Sequence, residues 1–149
     1  MKKRSGFTLV EILIVVVILG ILAAIVIPQF SSASEEAKLS NLVSDLQTVR
    51  SQIQLYKLQH KAQLPGTQGL EFKVAMTKYT NSDGALVTIQ APADKVYGPY
   101  IMRIPTNLFD DSNEVHTGVG PNTSYDSGWY YDQASGAFNA NDNAAHAAL

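Results

Sequence analysis

The sequence predicts an α+β fold: one long N-terminal helix, apolar in its first half and amphipathic in its second, packed on a small antiparallel β-sheet head. Three observations predict it. Ile12 to Ile27 run without a charged or strongly polar side chain, and apolar residues then recur at intervals of three and four as far as Tyr56. Beyond that, short β-favouring runs alternate with Gly, Pro, Asn and Asp. A chain of 149 residues has room for one head and an appendage, not for two ordinary domains.

Met1-Lys-Lys-Arg-Ser-Gly6 is short and basic, and the apolar stretch counted from Phe7 to Ile27 has 21 residues. At about 1.5 Å per residue a helix of that length covers roughly 30 Å, the thickness of a bilayer's hydrocarbon core. Lys2, Lys3 and Arg4 then place the N-terminus in the cytoplasm and the C-terminus outside, as in a single-pass membrane protein. A secretory signal peptide cut near Ser31-Ser-Ala-Ser34 would share the basic start and the apolar run. Glu11 argues against it, because a carboxylate at membrane depth costs about 2.5–3.5 kcal/mol or more without a partner. Gly20 and Pro28 weaken the helix, Gly through backbone entropy and Pro through a lost hydrogen bond. They predict a bend or a softened turn; Gly20 with Ala24 also reads as a small-residue pair for close helix packing.

Leu39, Leu42, Val43, Leu46, Val49, Ile53 and Tyr56 form one stripe on a helix that continues to about Gln59 and supplies core to the head. Leu64-Pro-Gly-Thr-Gln-Gly69 ends it, and Leu70 to Thr77 has the composition of a short second helix. Ala85–Gln90, Tyr100–Ile104, Gly128–Asp132 and Ala137–Asn139 are the expected strands, the last two joined by a hairpin at Asp132–Gly136. The Ala-rich end from Asn139 to Leu149 is expected to fray.

Several function classes are excluded. Without Lys2, Lys3 and Arg4 the formal net charge moves from −2 to −5, so the head has no electrostatic footprint for nucleic acid. Cysteine is absent, which removes disulfides and thiolate metal sites. His60, His116 and His146 lack ligand or His–carboxylate spacing and read as surface histidines; no nucleophile or phosphate-loop motif is present, so no catalytic residue is expected. Tyr97, Tyr100, Trp129, Tyr130 and Tyr131 fall on expected strands, where alternate residues face the core, and no Lys or Arg cluster accompanies them.

Gly6-Phe-Thr-Leu-Val-Glu11, followed by the apolar run to Pro28, resembles the processing signal of the type IV pilin and pseudopilin superfamily. The resemblance implies cleavage after Gly6 by a membrane prepilin peptidase and N-methylation of Phe7. Glu11 would pair with the amine freed at Phe7 of a neighbouring subunit; alternatively it snorkels to the headgroups one turn away. Leu64-Pro-Gly-Thr-Gln-Gly-Leu70 and Gly98-Pro-Tyr-Ile-Met-Arg-Ile-Pro105 are similar to segments of the major pseudopilin of type II secretion. The implied fold is pilin-like, with residues 1–6 as leader, 7–28 as transmembrane and assembly helix, 29–63 as amphipathic helix and 64–149 as the rest of the head.

The implied function is that of a filament subunit, a type II secretion pseudopilin, with a surface pilus subunit or a minor pilin with a ligand-binding head as alternatives. Its implied partners are further copies of itself, minor pilins, the prepilin peptidase, an inner-membrane assembly platform and membrane lipid. The head would face outward from the inner membrane until the subunit is extracted into a filament. The family also has a calcium site, in a region that usually continues with Asp-Pro-Trp-Gly, where this chain has Asn107-Leu-Phe-Asp110. Asp110, Asp111, Glu114, Asp126 and Asp132 supply hard oxygen ligands suited to calcium, and equally the composition of a solvated acidic loop.

Overall fold

The computed structural model describes residues 6–88, 95–120 and 124–149, and of Pro28 and Ser31 the backbone alone. Lys2, Lys3 and Arg4, and the last two residues of the expected strand Ala85–Gln90, lie outside the described residues. The chain divides into two compact units, Met1–Leu39 and Ser40–Leu149.

Helix α1 spans Leu9–Gln59 and continues through Gly20 and Pro28. Its end is chemically marked. Lys61 and Ala62 take the left-handed conformation (φ 53° and 66°), and the Ala62 N–H donates back to Lys57 O at 2.9 Å, satisfying a carbonyl the helix would leave orphaned. Within the first unit, every described side chain from Gly6 to Ile27 is exposed, including Ile14, Val16 and Leu19.

In the second unit α1 buries Leu42, Leu46, Val49, Ile53 and Tyr56, spaced four and three apart. Two members of the expected stripe depart from it: Leu39 is exposed and Val43 half-buried. His60 extends the stripe instead. It is fully buried, correcting the expectation of a surface histidine, because its ring stacks on Tyr56 at 3.7 Å and both nitrogens are engaged. Nδ1 lies 2.9 Å from Tyr56 O, and Nε2 lies 2.8 Å from Thr80 Oγ1.

Helix α2, Phe72–Thr77, appears where the second helix was expected and buries Phe72, Ala75 and Met76. Of the expected strands, Tyr100–Ile104 does not form one. The N–H groups of Tyr100 and Ile101 both donate to Met76 O, closing the end of α2, so they are unavailable to a ladder. In the Ala85 segment the described residues hold only an isolated bridge, Leu86 with Thr80. Gln68 helps to place that turn: its Oε1 accepts from the Tyr56 hydroxyl at 3.1 Å, and a Cβ on Gly84 (φ +78°) would lie 1.7 Å from the same oxygen.

The sheet has three strands in the order β1-β2-β3: β1 Val115–Gly118, β2 Trp129–Asp132 and β3 Phe138–Ala140. The expected hairpin pairs β2 and β3 antiparallel, with Tyr131 opposite Phe138. β1, which was not expected, pairs parallel with β2, Val115 opposite Trp129, so the sheet is mixed rather than purely antiparallel. The connection between them returns the chain to the start of β1 before β2 begins. Gly128 lets it pass, since a Cβ there would sit 2.3 Å from Ser112 O.

Alternation does not hold in β2, where Trp129, Tyr130 and Tyr131 are all buried. Trp129 and Tyr131 join the core beside Phe138 and Phe72, with ring centroids at 5.3 and 4.2 Å. Tyr130 lies outside that core, its hydroxyl donating to Gly120 O at 2.7 Å, so the turn after β1 covers it. The end of the chain does not fray as expected. Ala140 and Asn141 are buried, α3 spans Ala144–Ala147, and Asn143 Oδ1 accepts from the His146 N–H at the start of that helix. Arg50 adds a tie from α1, donating to Phe138 O, Asn139 Oδ1 and Leu149 O at 2.8–3.0 Å.

Candidate functional site

The one acidic side chain in the apolar segment sits in a defined arrangement. Thr8 precedes the first helical residue, and Glu11 lies three positions on, the spacing of a capping box. The Glu11 N–H donates to Thr8 Oγ1 at 3.2 Å, while Glu11 Oε2 accepts from the Thr8 N–H at 2.9 Å and the Thr8 hydroxyl at 2.8 Å. These bonds satisfy N–H groups that the helix leaves open and set a negative charge against its positive end. Among the described residues both of Glu11's carboxylate bonds are made by Oε2 and none by Oε1. Sequence reasoning missed Thr8, although the Thr-x-x-Glu spacing was there to be read.

Around this cap, Phe7 is 84% exposed and Gly6 has open space where a Cβ would stand. Gly20 is likewise exposed on α1 with nothing against it. Exposed aliphatic side chains over 21 residues have no counterpart on a monomeric soluble surface, and one window of the helix reaches a mean hydropathy of 3.3. The helix is long and apolar enough to cross a membrane.

In the head, the acidic residues considered for calcium do not converge. Among the described residues no three His, Cys, Asp or Glu side chains are arranged to hold a metal ion. Asp132 caps the hairpin turn, accepting from the Ser135 hydroxyl at 2.6 Å and the N–H groups of Ala134 and Gly120. Those bonds, the Ser135 hydroxyl foremost, hold its carboxyl below the usual carboxylate range. Asp110 accepts from the Ser112 N–H at 3.1 Å, and burial pushes its carboxyl up, with Asp142 and Asp111 adding to the shift. Asp111, Glu114 and Asp126 are exposed.

Of the histidines, His116 is exposed, whereas His146 meets Asp142, an i,i+4 carboxylate overlooked in the sequence, with Nδ1 at 2.5 Å from Oδ2. The aromatic residues are distributed through the packing rather than collected in a groove: Tyr100 Oη donates to Gln59 Oε1 and Trp129 Nε1 to Pro105 O.

Comparison with known proteins adds the family. Residues 1–27 match the family described as the prokaryotic N-terminal methylation motif. The type II secretion system core protein G of Pseudomonas aeruginosa is 40% identical over 105 residues, which cover 66% of this chain and 72% of that protein. The proteins of that name from Vibrio cholerae and Escherichia coli are 38% and 32% identical. The matched region covers 65% of the Vibrio protein's length and 74% of the Escherichia protein's. No solved structure matches the chain. A methylation motif on a membrane-length helix, together with 40% identity over 105 residues to such a protein, makes the chain a member of the type II secretion system core protein G family.

Proposed function

We propose that the mature chain begins at Phe7, is methylated there, and polymerises into the helical pseudopilus of a type II secretion system. The observation that carries this reading is the carboxylate of Glu11, bonded through Oε2 alone among the described residues, on an apolar segment of α1 whose described side chains from Phe7 to Ile27 are all exposed. A buried or lipid-facing carboxylate needs a counter-charge. Thr8 supplies neutral donors to Oε2 alone, and the ammonium at Phe7 of an adjacent copy is a charge of the right sign at the right depth for Oε1. Pairing along the polymer would fix the axial register of one subunit on the next, while the exposed aliphatic side chains exchange lipid for neighbouring helices.

In this reading the prepilin peptidase removes residues 1–6, and the head faces away from the cytoplasm because Lys2, Lys3 and Arg4 hold the other end back. An inner-membrane platform then extracts the subunit into a filament with minor pilins. Gly20 and Pro28 would let the helix flex during extraction. Glu11→Ala separates the steps: the mutant should insert into the membrane as well as wild type, with intact mass still beginning at Phe7, while filaments seen by electron microscopy are largely lost. Normal filament numbers in the mutant would remove Glu11 from assembly.

A further inference from the structure

The family resemblance implies a calcium ion tying down the loops of the head, and the donors among the described residues do not fit one. Calcium takes six to eight oxygen ligands. Here Asp132 is taken up by three donors of its own and adjoining turns, Asp110 accepts from the Ser112 N–H, and among the described residues no three His, Cys, Asp or Glu side chains are arranged to hold an ion. The loop after Pro105 is nevertheless held to the end of the chain. The Asn107 amide donates to Asp142 Oδ1 at 2.9 Å and to Gly128 O at 3.0 Å, and its own Oδ1 accepts from the Phe109 N–H. Asp142 Oδ2 receives the Asn143 amide at 2.6 Å and faces His146 Nδ1 at 2.5 Å, while the Phe109 ring lies 4.3 Å from the His146 ring.

Asn107 is buried and the Asp142 side chain is 5% exposed, so one desolvated carboxylate gathers an asparagine from the loop, an asparagine beside it and a histidine from α3. That is the task a metal performs elsewhere: collecting donors distant in sequence around a single charge, here with the sign reversed. We propose that the Asn107–Asp142–His146 clasp replaces calcium in this chain, and that the head keeps its fold without the ion.

The test is thermal unfolding of the full-length protein in detergent, followed by Trp129, its one tryptophan, which is fully buried. Wild type should melt at the same temperature with calcium chloride, with magnesium chloride and with excess chelator. Asp142→Asn should melt lower by about 4 °C or more in all three. His146→Phe keeps a ring against Phe109 but removes the Nδ1 contact, so it should also melt lower, with faster hydrogen exchange at the Phe109 amide, and it serves if the Asp142 variant fails to fold. A wild-type melt that rises with calcium and falls with chelator would overturn the proposal. So would a His146→Phe protein that melts and exchanges like wild type.

Discussion

The two units use one helix in opposite ways. In Met1–Leu39 the apolar residues from Phe7 to Ile27 cover the helix all round and are exposed; in Ser40–Leu149 the buried apolar residues of α1 occupy a single stripe, and Leu46, Val49 and Ile53 are 0–1% exposed. Hydrophobicity alone does not distinguish them. What differs is the partner: the head supplies its own aromatic wall of Phe72, Trp129, Tyr131 and Phe138, whereas the N-terminal segment leaves its covering to lipid or to other copies.

The sharpest test of that difference is the same substitution made on both sides. Ile53→Ala should cost about 2–5 kcal/mol through lost burial and a residual cavity, lowering the head's melting temperature by about 4–8 °C for each kcal/mol. Ile14→Ala removes identical atoms from a side chain that is 52% exposed, so the head should melt as in wild type. Tryptophan fluorescence on the two variants decides it. Equal losses would mean that the first unit contributes to the head's stability and that the division is wrong.

The first unit was legible because its signal is compositional: a run without charge needs no knowledge of tertiary contacts. The long helix, the short helix at Phe72 and the hairpin were legible too, from period and turn residues. The rest was decided by partners distant in sequence. Tyr100 and Ile101 look like strand residues, and their N–H groups serve α2 instead. The alanines near the end suggested fraying, yet Asn141 and Asp142 anchor that segment through Ser127 and Asn107. At the candidate site Gly6, Phe7 and Glu11 stood out by motif, while Thr8 was passed over as one more small polar residue.

Arg50 offers a smaller effect on the same division, since it is the point at which α1 grips the chain's end. Arg50→Met keeps most of the stem and removes the donors to Phe138 O, Asn139 Oδ1 and Leu149 O. Hydrogen bonds from a charged group are worth about 1.5–3 kcal/mol, and a loss of that order is expected in denaturant unfolding, with unchanged membrane insertion. An unaltered midpoint would show that the packing of β3 and α3 holds without it.

Acid should weaken the head. Burial lowers the pKa of His60 by penalising its charged form, with hydrogen bonds to Tyr56 and Asn81 opposing. The unfolded chain therefore binds the proton first, and stability falls as pH drops below about 6.5 towards the lowered folded value. Asp45 and Asp110, both raised by desolvation, act in the opposite sense and only in the carboxylate range near pH 4, so the two effects separate. Melts between pH 8 and pH 5 should slope downward in wild type and flatten in His60→Phe. A flat wild-type profile would mean that protonated His60 is accommodated.

The smallest effect concerns a group that the core buries without a hydrogen-bond partner. Among the described residues Tyr131 is fully buried, and its hydroxyl has no hydrogen-bond acceptor or donor within reach. Burial also pushes the phenol's pKa well above its ordinary value, so at neutral pH the group is an uncharged hydroxyl that has left water without compensation. An unsatisfied polar group of this kind costs about 1–3 kcal/mol, whereas removing it alone leaves the ring and its contact with Phe72 in place. Tyr131→Phe should therefore be neutral or stabilise the head by about 1 kcal/mol, against the loss expected for Trp129→Phe, whose indole N–H donates to Pro105 O. Denaturant midpoints for the two variants test this. If Tyr131→Phe destabilises by as much as Trp129→Phe, the hydroxyl is satisfied by an internal water, and the head's core is wetter than its side chains alone imply.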